Sequence, residues 1–168
     1  METTVKLKTM KYLNVLVIAC LFPLIGISQD QNDKKLVMAT AQSWFNSFNN
    51  HNYDDFFDYI TEDCFGINPM GKYMRMTNEA PTIFNKGHEG LLKNLSIEVD
   101  SIDVRFIESD VAIATVFSRE KGAIYPPDGI DRGNNKVDGQ GLITTMIIVK
   151  RNKKWLITQY QSTHIPNP

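Results

Sequence analysis

The apolar residues of this chain follow a helical spacing in its first half and a strand spacing in its second. Between residues 33 and 48 they recur every three or four positions, which predicts an amphipathic helix with Asp33 as its N-cap. A shorter helix is predicted over residues 53–60, with its apolar side chains, Phe57 among them, facing inward. A third short helix is predicted over about residues 88–95.

The second half alternates apolar and polar residues and is rich in Ile, Val, Thr and aromatic side chains, which predicts four β-strands. A short strand before Pro69 and a covering loop over residues 72–86 complete the predicted order. Helices followed by antiparallel strands are typical of an α+β protein, and the simplest arrangement is a curved, mainly antiparallel sheet with the N-terminal helices packed in it. The four segments are SIEVDSIDVRFI, DVAIATVFSRE, GLITTMIIVKR and KWLITQYQSTH.

The composition is that of one globular domain. Hydrophobic residues make up 42% and charged residues 22% of the 168 residues, so a packed core is expected. The formal net charge is -1, and no basic run follows the first dozen residues. Nonspecific nucleic-acid binding needs a clustered cationic surface, so no nucleic-acid partner is expected.

The first 28 residues have the pattern of a secretory signal peptide. Three lysines precede an apolar stretch over residues 12–27, and a polar segment follows. Gly26 and Ser28 are the small residues expected before a cut, which would leave residues 29–168 as an exported domain, periplasmic or extracellular, with no stable membrane span. The alternatives are a lipobox ending at Cys20, which would leave a lipid-anchored protein, and an uncleaved anchor.

The cysteines and histidines predict neither a disulfide nor a metal site. Cys64 would be alone after removal of the signal, and we interpret it as a small buried residue rather than a nucleophile. The three histidines, His51, His88 and His164, have no metal-ligand spacing. No metal and no cofactor are therefore expected.

Two segments of the chain are similar to a known group of proteins. They are WFNSFNNHNYDDFFDYITEDCFGINPMG, from Trp44 to Gly71, and the ending VKRNKKWLITQYQSTHIP, from Val149 to Pro166. Both resemble the nuclear transport factor 2-like superfamily. Within the superfamily they are most similar to the SnoaL-like and SgcJ/EcaC-type groups. The resemblance implies a cystatin-like cone, in which a sheet wraps around helices and leaves a pocket at the open end. It does not imply one function, because this fold carries many.

Ketosteroid isomerases, which share this superfamily, resemble the stretch EDCFGINPMG without a gap. Their catalytic carboxylate directly precedes the proline, where this chain has Asn68. Their oxyanion-stabilising groups, a tyrosine and a protonated aspartate, would fall on Trp44 and near Thr145. An asparagine can donate or accept a hydrogen bond but cannot take up a proton, so isomerisation by that mechanism is not expected.

The predicted pocket combines the resemblance with the alternation of two strands. Two aromatic side chains would contact the apolar part of the ligand, and three amide side chains would orient it by hydrogen bonds. One arginine would bind any anionic group of the ligand. On the alternation alone, exposed strand-end positions explain Arg119 and Gln161 equally well. The predicted ligand-contacting residues are Trp44, Asn68, Phe117, Arg119, Gln159 and Gln161.

Three functions remain open from the sequence. The first is an exported protein that binds a small, largely apolar molecule in the cone pocket. The second is an isomerase, hydratase or hydrolase that uses another acid–base set, with His88 and either Asp63 or Glu89 as candidates. The third is a protein-interaction module, which would have a solid interior without a cavity.

Two further expectations concern the surface. The long segment between the second and third predicted strands, residues 121–140, has the length of a lid or binding loop. An apolar stripe on the sheet face opposite the presumed pocket predicts a homodimer, because such a stripe needs covering. The stripe consists of Leu142, Met146, Ile148, Leu156 and Tyr160.

Overall fold

The structure is a computed structural model that describes residues 31–77, 79–90, 92–122 and 139–165. The predicted signal peptide, Cys20 and most of the 121–140 segment lie outside the described residues. The chain divides into two compact units, Met1–Lys35 and Leu36–Pro168, and the second contains the whole sheet. In the described ranges, no helix is long and apolar enough to cross a membrane.

Helix α1 has the predicted period, but it begins earlier than predicted. Its described part covers residues 31–49, so Asp33 lies inside the helix and the N-cap prediction was wrong. The second predicted helix is a single 3-10 segment, Asp54–Asp58. Successive residues of a 3-10 helix point 120° apart, which lets Phe56 face the core while Phe57 is 51% exposed. The predicted inward position of Phe57 was therefore wrong.

In the part of the chain that the structure describes, six strands form one mixed sheet in the order β2-β1-β6-β5-β4-β3. Neighbours are antiparallel except β1 and β6, which are parallel. The four predicted long strands and the α+β class with a curved, mainly antiparallel sheet are confirmed. The strands are β1 Ile60–Ile67, β2 Tyr73–Arg75, β3 Ser96–Glu108, β4 Val111–Lys121, β5 Gly141–Arg151 and β6 Lys154–His164.

The segment predicted as a covering loop contains β2 and the start of a second helix. This helix, α2, covers Ala80–Glu89, so the short helix predicted over residues 88–95 was wrong. Pro81 occupies the first turn of α2, where proline is tolerated because that N–H would have no partner within the helix. The proline therefore marks the start of a helix instead of a loop.

The inward face of β4 is the opposite of the one that alternation suggested. Its buried positions begin at Ala112 and continue through Ser118 to Glu120, whereas Phe117 is only half-buried and Arg119 is exposed. Both faces of this strand carry apolar residues, so the period alone did not fix which face is inside.

An extra residue in β6 changes the inward face partway along that strand. Ile157 pairs with Ile148 of β5, but the next pair joins Gln159 to Ile147, which leaves Thr158 unpaired in the manner of a β-bulge. Trp155 and Ile157 face inward as predicted, whereas beyond the bulge the buried positions are Tyr160 and Ser162.

The apolar stripe predicted to lie on the outer face is mostly part of the core. Leu142, Met146, Ile148 and Tyr160 are all buried, while Leu156 is half-buried. The predicted dimer surface was therefore wrong in four of its five residues.

Candidate functional site

A cavity of about 90 Å³ lies between the helices and the inner face of the sheet. This volume is several times the roughly 10–15 Å³ that one water molecule needs, so a small organic group fits. Most of the lining is apolar, and the lining residues with polar side chains include Asn68, Glu120 and Ser162. The lining residues are Trp44, Phe45, Phe48, Asn68, Pro69, Met70, Phe84, Leu92, Leu95, Ile97, Glu120, Leu142, Tyr160 and Ser162.

Aromatic rings form one wall of the cavity. Trp44 and Phe48 are one helical turn apart on α1 and therefore share its buried face. The indole of Trp44 stacks on Phe56 with ring centroids 4.3 Å apart and lies 4.6 Å from the ring of Tyr160. Phe84 of α2 meets Phe48 edge-on at 5.5 Å. These mutual contacts hold the wall in place without a ligand.

Asn68 lies at the cavity, and its side-chain oxygen organises the turn from β1 to β2. Its Oδ1 accepts hydrogen bonds from the backbone N–H of Met70 at 3.1 Å and of Lys72 at 2.9 Å. The turn closes with the Gly71 N–H donating to the Asn68 carbonyl at 2.9 Å. With the oxygen engaged by the backbone, the amide NH2 is the group that Asn68 can direct to a ligand.

Tyr160 reaches the cavity across Gly66. A Cβ on Gly66 would lie 2.0 Å from Cε1 of the Tyr160 ring, a distance that no side chain can accept. Glycine is therefore needed in β1 for the ring to pack where it does. Burial raises the pKa of the Tyr160 hydroxyl, so this group is protonated and neutral at physiological pH.

The polar end of the cavity is built by three strands. Glu120 of β4 is 2% exposed, and its Oε2 lies 3.2 Å from Nε2 of His164 on β6. Close by in the sheet, the buried hydroxyls of Thr144 and Ser162 are 2.8 Å apart. A buried carboxylate needs hydrogen-bond partners, and His164 supplies one.

A sequence profile of the SnoaL-like domain matches residues 37–168, which is most of the chain. This chain belongs to the SnoaL-like domain family. A search of curated proteins found no match.

Solved structures similar to this SnoaL-like chain share its fold at low sequence identity. An uncharacterised protein with a cystatin-like fold from Caulobacter vibrioides has a TM-score of 0.68 and 18% identity, over 80% of this chain and 90% of the other. A nuclear transport factor 2-like superfamily protein from Salmonella enterica has a TM-score of 0.65 and 12% identity, over 82% and 94%. A ketosteroid isomerase-like protein from Erwinia carotovora atroseptica has a TM-score of 0.58 and 13% identity, over 79% and 96%. The predicted superfamily and cystatin-like fold are confirmed.

The SnoaL-like cavity includes two of the six residues predicted to contact a ligand, Trp44 and Asn68. The other four, Phe117, Arg119, Gln159 and Gln161, are not among its lining residues. In β4 the inward phase was misassigned, and in β6 the bulge moves both glutamines off the inner face. The structure therefore places these four residues outside the lining of this cavity, and contact of any of them with a ligand stays a prediction.

Arg119 has partners on the outer face of the sheet. Its guanidinium donates to the carboxylate of Asp100, with Nη2 2.6 Å and Nε 3.1 Å from carboxylate oxygens, and Glu98 lies 3.9 Å away. The hydrogen bonds and charges of these acids raise the pKa of Arg119. The predicted role of Arg119 toward an anionic ligand has no support in this geometry.

The acid–base candidates named from the sequence do not meet. The Asp63 carboxylate is exposed and lies 3.8 Å from the Arg151 guanidinium. His88 is buried in the aromatic cluster beside Phe48 and Tyr53, and in the described part of the chain no hydrogen bond joins its ring to Asp63 or to Glu89, its neighbour in the sequence. Burial, with a smaller effect of nearby His51, lowers the pKa of His88 to about 4.

Other reactive groups of the described residues lie away from the cavity. Cys64 is buried as predicted, and desolvation raises its pKa to about 12, which leaves the thiol protonated and unreactive. No group of three or more metal-binding side chains occurs within the described residues. Thr145, the position that the isomerase resemblance suggested, is exposed on the outer face, whereas Thr144 is buried.

Glu120 and His164 are the site residues that sequence reasoning missed. The available signal was that Glu120 continues the alternating series Ala112, Ala114, Val116 and Ser118, which is the buried face of β4. His164 could not be assigned because its orientation depends on the β6 bulge.

Proposed function

We propose that this protein binds a small, largely apolar and uncharged molecule in the cavity. The observation that carries the proposal is the cavity itself, which combines a prearranged aromatic wall with a few polar groups at its ends. Pockets of this composition gain affinity from apolar contact and orientation from their hydrogen-bonding groups. Membership of a family of ligand-binding and isomerase-like proteins supports the same function.

The charge of the ligand follows from the residues around it. Among the described residues that line the cavity there is no lysine or arginine, and one carboxylate, Glu120, is present. These lining residues therefore offer no cation to an anionic ligand, and burying a charge without a partner is costly. We therefore expect an uncharged ligand in place of the anionic one that Arg119 suggested.

A matched pair of substitutions tests binding in the cavity. Leu92 lines the cavity and Lys93, its neighbour, is exposed. Native mass spectrometry of protein purified from its own source would identify a bound molecule, and calorimetry would measure its affinity for each variant. Leu92→Trp should fill part of the cavity and weaken binding at least tenfold, whereas Lys93→Trp should leave affinity unchanged. Equal affinity in both variants would place the ligand elsewhere.

An enzymatic role is the alternative function, and one observation favours it. Buried Glu120, which lines the cavity, is paired with the half-buried imidazole of His164, and a carboxylate–imidazole pair is an arrangement used in proton transfer. The pair formed by His88 and Asp63 has no comparable geometry. Turnover of the molecule found by mass spectrometry, abolished by Glu120→Gln, would identify the protein as an enzyme.

The proposal includes a homodimer formed through the outer face of the sheet. Cross-strand pairs there, Ile113 with Ile147 and Phe117 with Ile143, place half-buried apolar side chains side by side. A second copy of the chain would cover them. Light scattering should give a dimeric mass, and Ile147→Lys should give a monomeric one; a monomeric mass for the unmodified protein would contradict the proposal.

Export is the last part of the proposal and rests on the sequence of residues 1–28. The protein is expected in the periplasm or medium, with residues 29–168 as its mature domain. Mass spectrometry of the N-terminus after cell fractionation tests this. An N-terminus near Gln29 supports cleavage by signal peptidase, a lipid-modified Cys20 supports an anchored form, and an unprocessed cytoplasmic chain contradicts export.

A further inference from the structure

The long edge strand β3 has a free side. It is the last of the six described strands in the sheet order, and it pairs with β4 on one side only. At Ile97 this edge is closed by Asn49, whose side-chain NH2 donates to the Ile97 carbonyl at 2.9 Å and whose oxygen accepts the Ile97 N–H at 2.8 Å. Among the described residues, no other side chain caps the edge in this way. An unpaired strand edge is a template for another strand.

The strand register shows which backbone groups face the free edge. The backbone of Glu120 in β4 exchanges hydrogen bonds with Gly139 and Gln140, on the side of β5, so its partner Ile97 has to direct its own backbone groups away from β4. These directions alternate along both strands. The β3 residues that bond to β4 are therefore Ser101, Asp103 and Arg105. The residues that direct their N–H and C=O groups to the free edge are Ile102, Val104 and Phe106.

Two opposite charges lie on the outer face of this edge. Asp103 and Arg105 are exposed, and their neighbours across the strand pair are the uncharged residues Thr115 and Ile113. In the described part of the chain, neither charge has an ion-pair partner. On the inner face, the apolar side chains of the same run are only half-buried. Both faces of the edge therefore have groups that a further strand could cover.

The charges select one register for pairing with a second copy. Two identical strands related by a two-fold axis pair antiparallel, and an axis through Asp103 or through Arg105 would place like charges opposite each other. An axis through Val104 instead places Asp103 of each copy opposite Arg105 of the other. Val104 then faces itself and Ile102 faces Phe106, and these are the residues whose backbone groups point to the free edge.

We propose that this edge of β3 docks a second copy of the chain, in the antiparallel register centred on Val104. The paired run is short, because Asp100 and Ile107 are unpaired and interrupt the register on either side. It covers less surface than a stable dimer needs, so the contact is weak and forms at high protein concentration. Light scattering of dilute protein therefore reports the outer-face dimer of the proposed function, and the edge contact depends neither on that dimer nor on a ligand.

Thiol crosslinking tests the register. In a Cys20→Ser protein, Val104→Cys would bring two Cα atoms to about 5.5 Å, which is within the range of a disulfide, while the native Cys64 is buried. Mild oxidation or a short thiol crosslinker should then give a covalent dimer. Glu98→Cys is the control: residue 98 is more exposed, but its opposite position lies beyond the end of β3, so the yield should be at least tenfold lower. Equal yields would overturn the proposal.

Charge reversal tests the same register independently. Added to Val104→Cys, Asp103→Lys would place a cation opposite Arg105 and should lower the yield of crosslinked dimer at least fivefold. Further addition of Arg105→Asp makes the opposed charges opposite again and should restore the yield. A yield that does not respond to either change would overturn the register.

Amide hydrogen exchange of the unmodified protein does not depend on variants. The N–H groups of Ile102, Val104 and Phe106 should exchange fast in dilute protein and at least threefold more slowly at high concentration, whereas that of Asp103, bonded to β4, should exchange slowly throughout. Slow exchange of all three at every dilution would mean that another segment of the same chain covers the edge. Fast exchange at every concentration would mean that no second copy docks, and either result overturns the proposal.

Ile147→Lys separates the edge contact from the outer-face dimer. The Val104 side chain lies on the inner face, so an outer-face dimer does not bring two of them together. The crosslinked yield of Val104→Cys should therefore be unchanged when Ile147→Lys is added. Loss of the crosslink would assign it to the outer-face dimer and overturn the edge contact. A monomeric mass of the dilute unmodified protein, with the crosslink retained, would contradict the outer-face dimer alone.

Discussion

His88 makes the stability of this protein depend on pH, and the effect can be worked out from its surroundings. The imidazole is 7% exposed and lies beside Phe48 and Tyr53, and neither ring nitrogen has a hydrogen-bond partner in the described residues. The ring of His51 is 3.8 Å away, centroid to centroid. Burial first, and His51 second, disfavour the charged form and lower the pKa of His88 to about 4. The informative substitution is His88→Leu, which keeps an apolar side chain of similar size.

The sign of the effect follows from proton binding in the two states. The unfolded chain takes up a proton at His88 with the ordinary pKa of 6.5, whereas the folded chain does so only near pH 4. Between these values the unfolded state binds more protons, so the free energy of unfolding falls as the pH is lowered from 6.5 to 4. The difference between the pKa of His88 in the unfolded and the folded chain corresponds to a loss of about 3 kcal/mol in the free energy of unfolding. This is a large part of the stability of a small domain.

The assay is urea unfolding at a series of pH values between 4 and 8 for the natural protein and for His88→Leu. Carboxylate titrations affect both proteins, so the difference between them isolates His88. Between pH 7 and pH 4, we expect the free energy of unfolding of the natural protein to fall by about 3 kcal/mol more than that of the variant. His51→Asn is the control and should keep most of the dependence, because burial is the larger cause. Parallel curves for the natural protein and His88→Leu would refute the reasoning.

Three other predictions test the packing around the site. Gly66→Ala should cost about 1–3 kcal/mol in the free energy of unfolding, because its Cβ collides with the Tyr160 ring, and the cost should vanish in a Tyr160→Leu background. Lys153→Gly should stabilise the β5–β6 hairpin by up to about 1 kcal/mol, because residue 153 has φ of +67°; Lys154→Gly, inside β6, should destabilise it instead. In a Cys20→Ser protein, Cys64 should react with a thiol reagent at pH 8 only after unfolding, because burial raises its pKa to about 12; rapid labelling of the folded protein would contradict this.

The sequence predicted which segments are strands much better than it predicted their faces. The four long strands are rich in β-branched residues and separated by turn signals, and all four are present. In β4, however, one face carries Ala112, Ala114 and Val116 and the other carries Ile113 and Phe117, so hydrophobicity favours neither side. The face with the smaller residues is the buried one, and which face meets the core is a tertiary property that the alternation of a single strand does not contain.

Local signals with two meanings account for the other errors. A proline such as Pro81 is equally compatible with a loop and with the first turn of a helix. In this structure it lies in the first turn of α2. The bulge at Thr158 leaves no mark in the sequence, although it determines that Tyr160 and Ser162, and not Gln159 and Gln161, face the cavity. One unpaired residue thus moved two of the six predicted pocket residues to the other face of the sheet.

The position of the carboxylate shows why function could not be carried over from the fold resemblance. Where ketosteroid isomerases have a catalytic aspartate, Asn68 uses its oxygen to bind two backbone N–H groups of the β1–β2 turn. The cavity does have an acidic lining residue, Glu120, but it belongs to β4, which is separated from β1 in the sheet by β6 and β5. Its carboxylate is paired with His164. An asparagine held in this way cannot take up a proton, so the mechanism of the ketosteroid isomerases does not carry over to this cavity together with the fold.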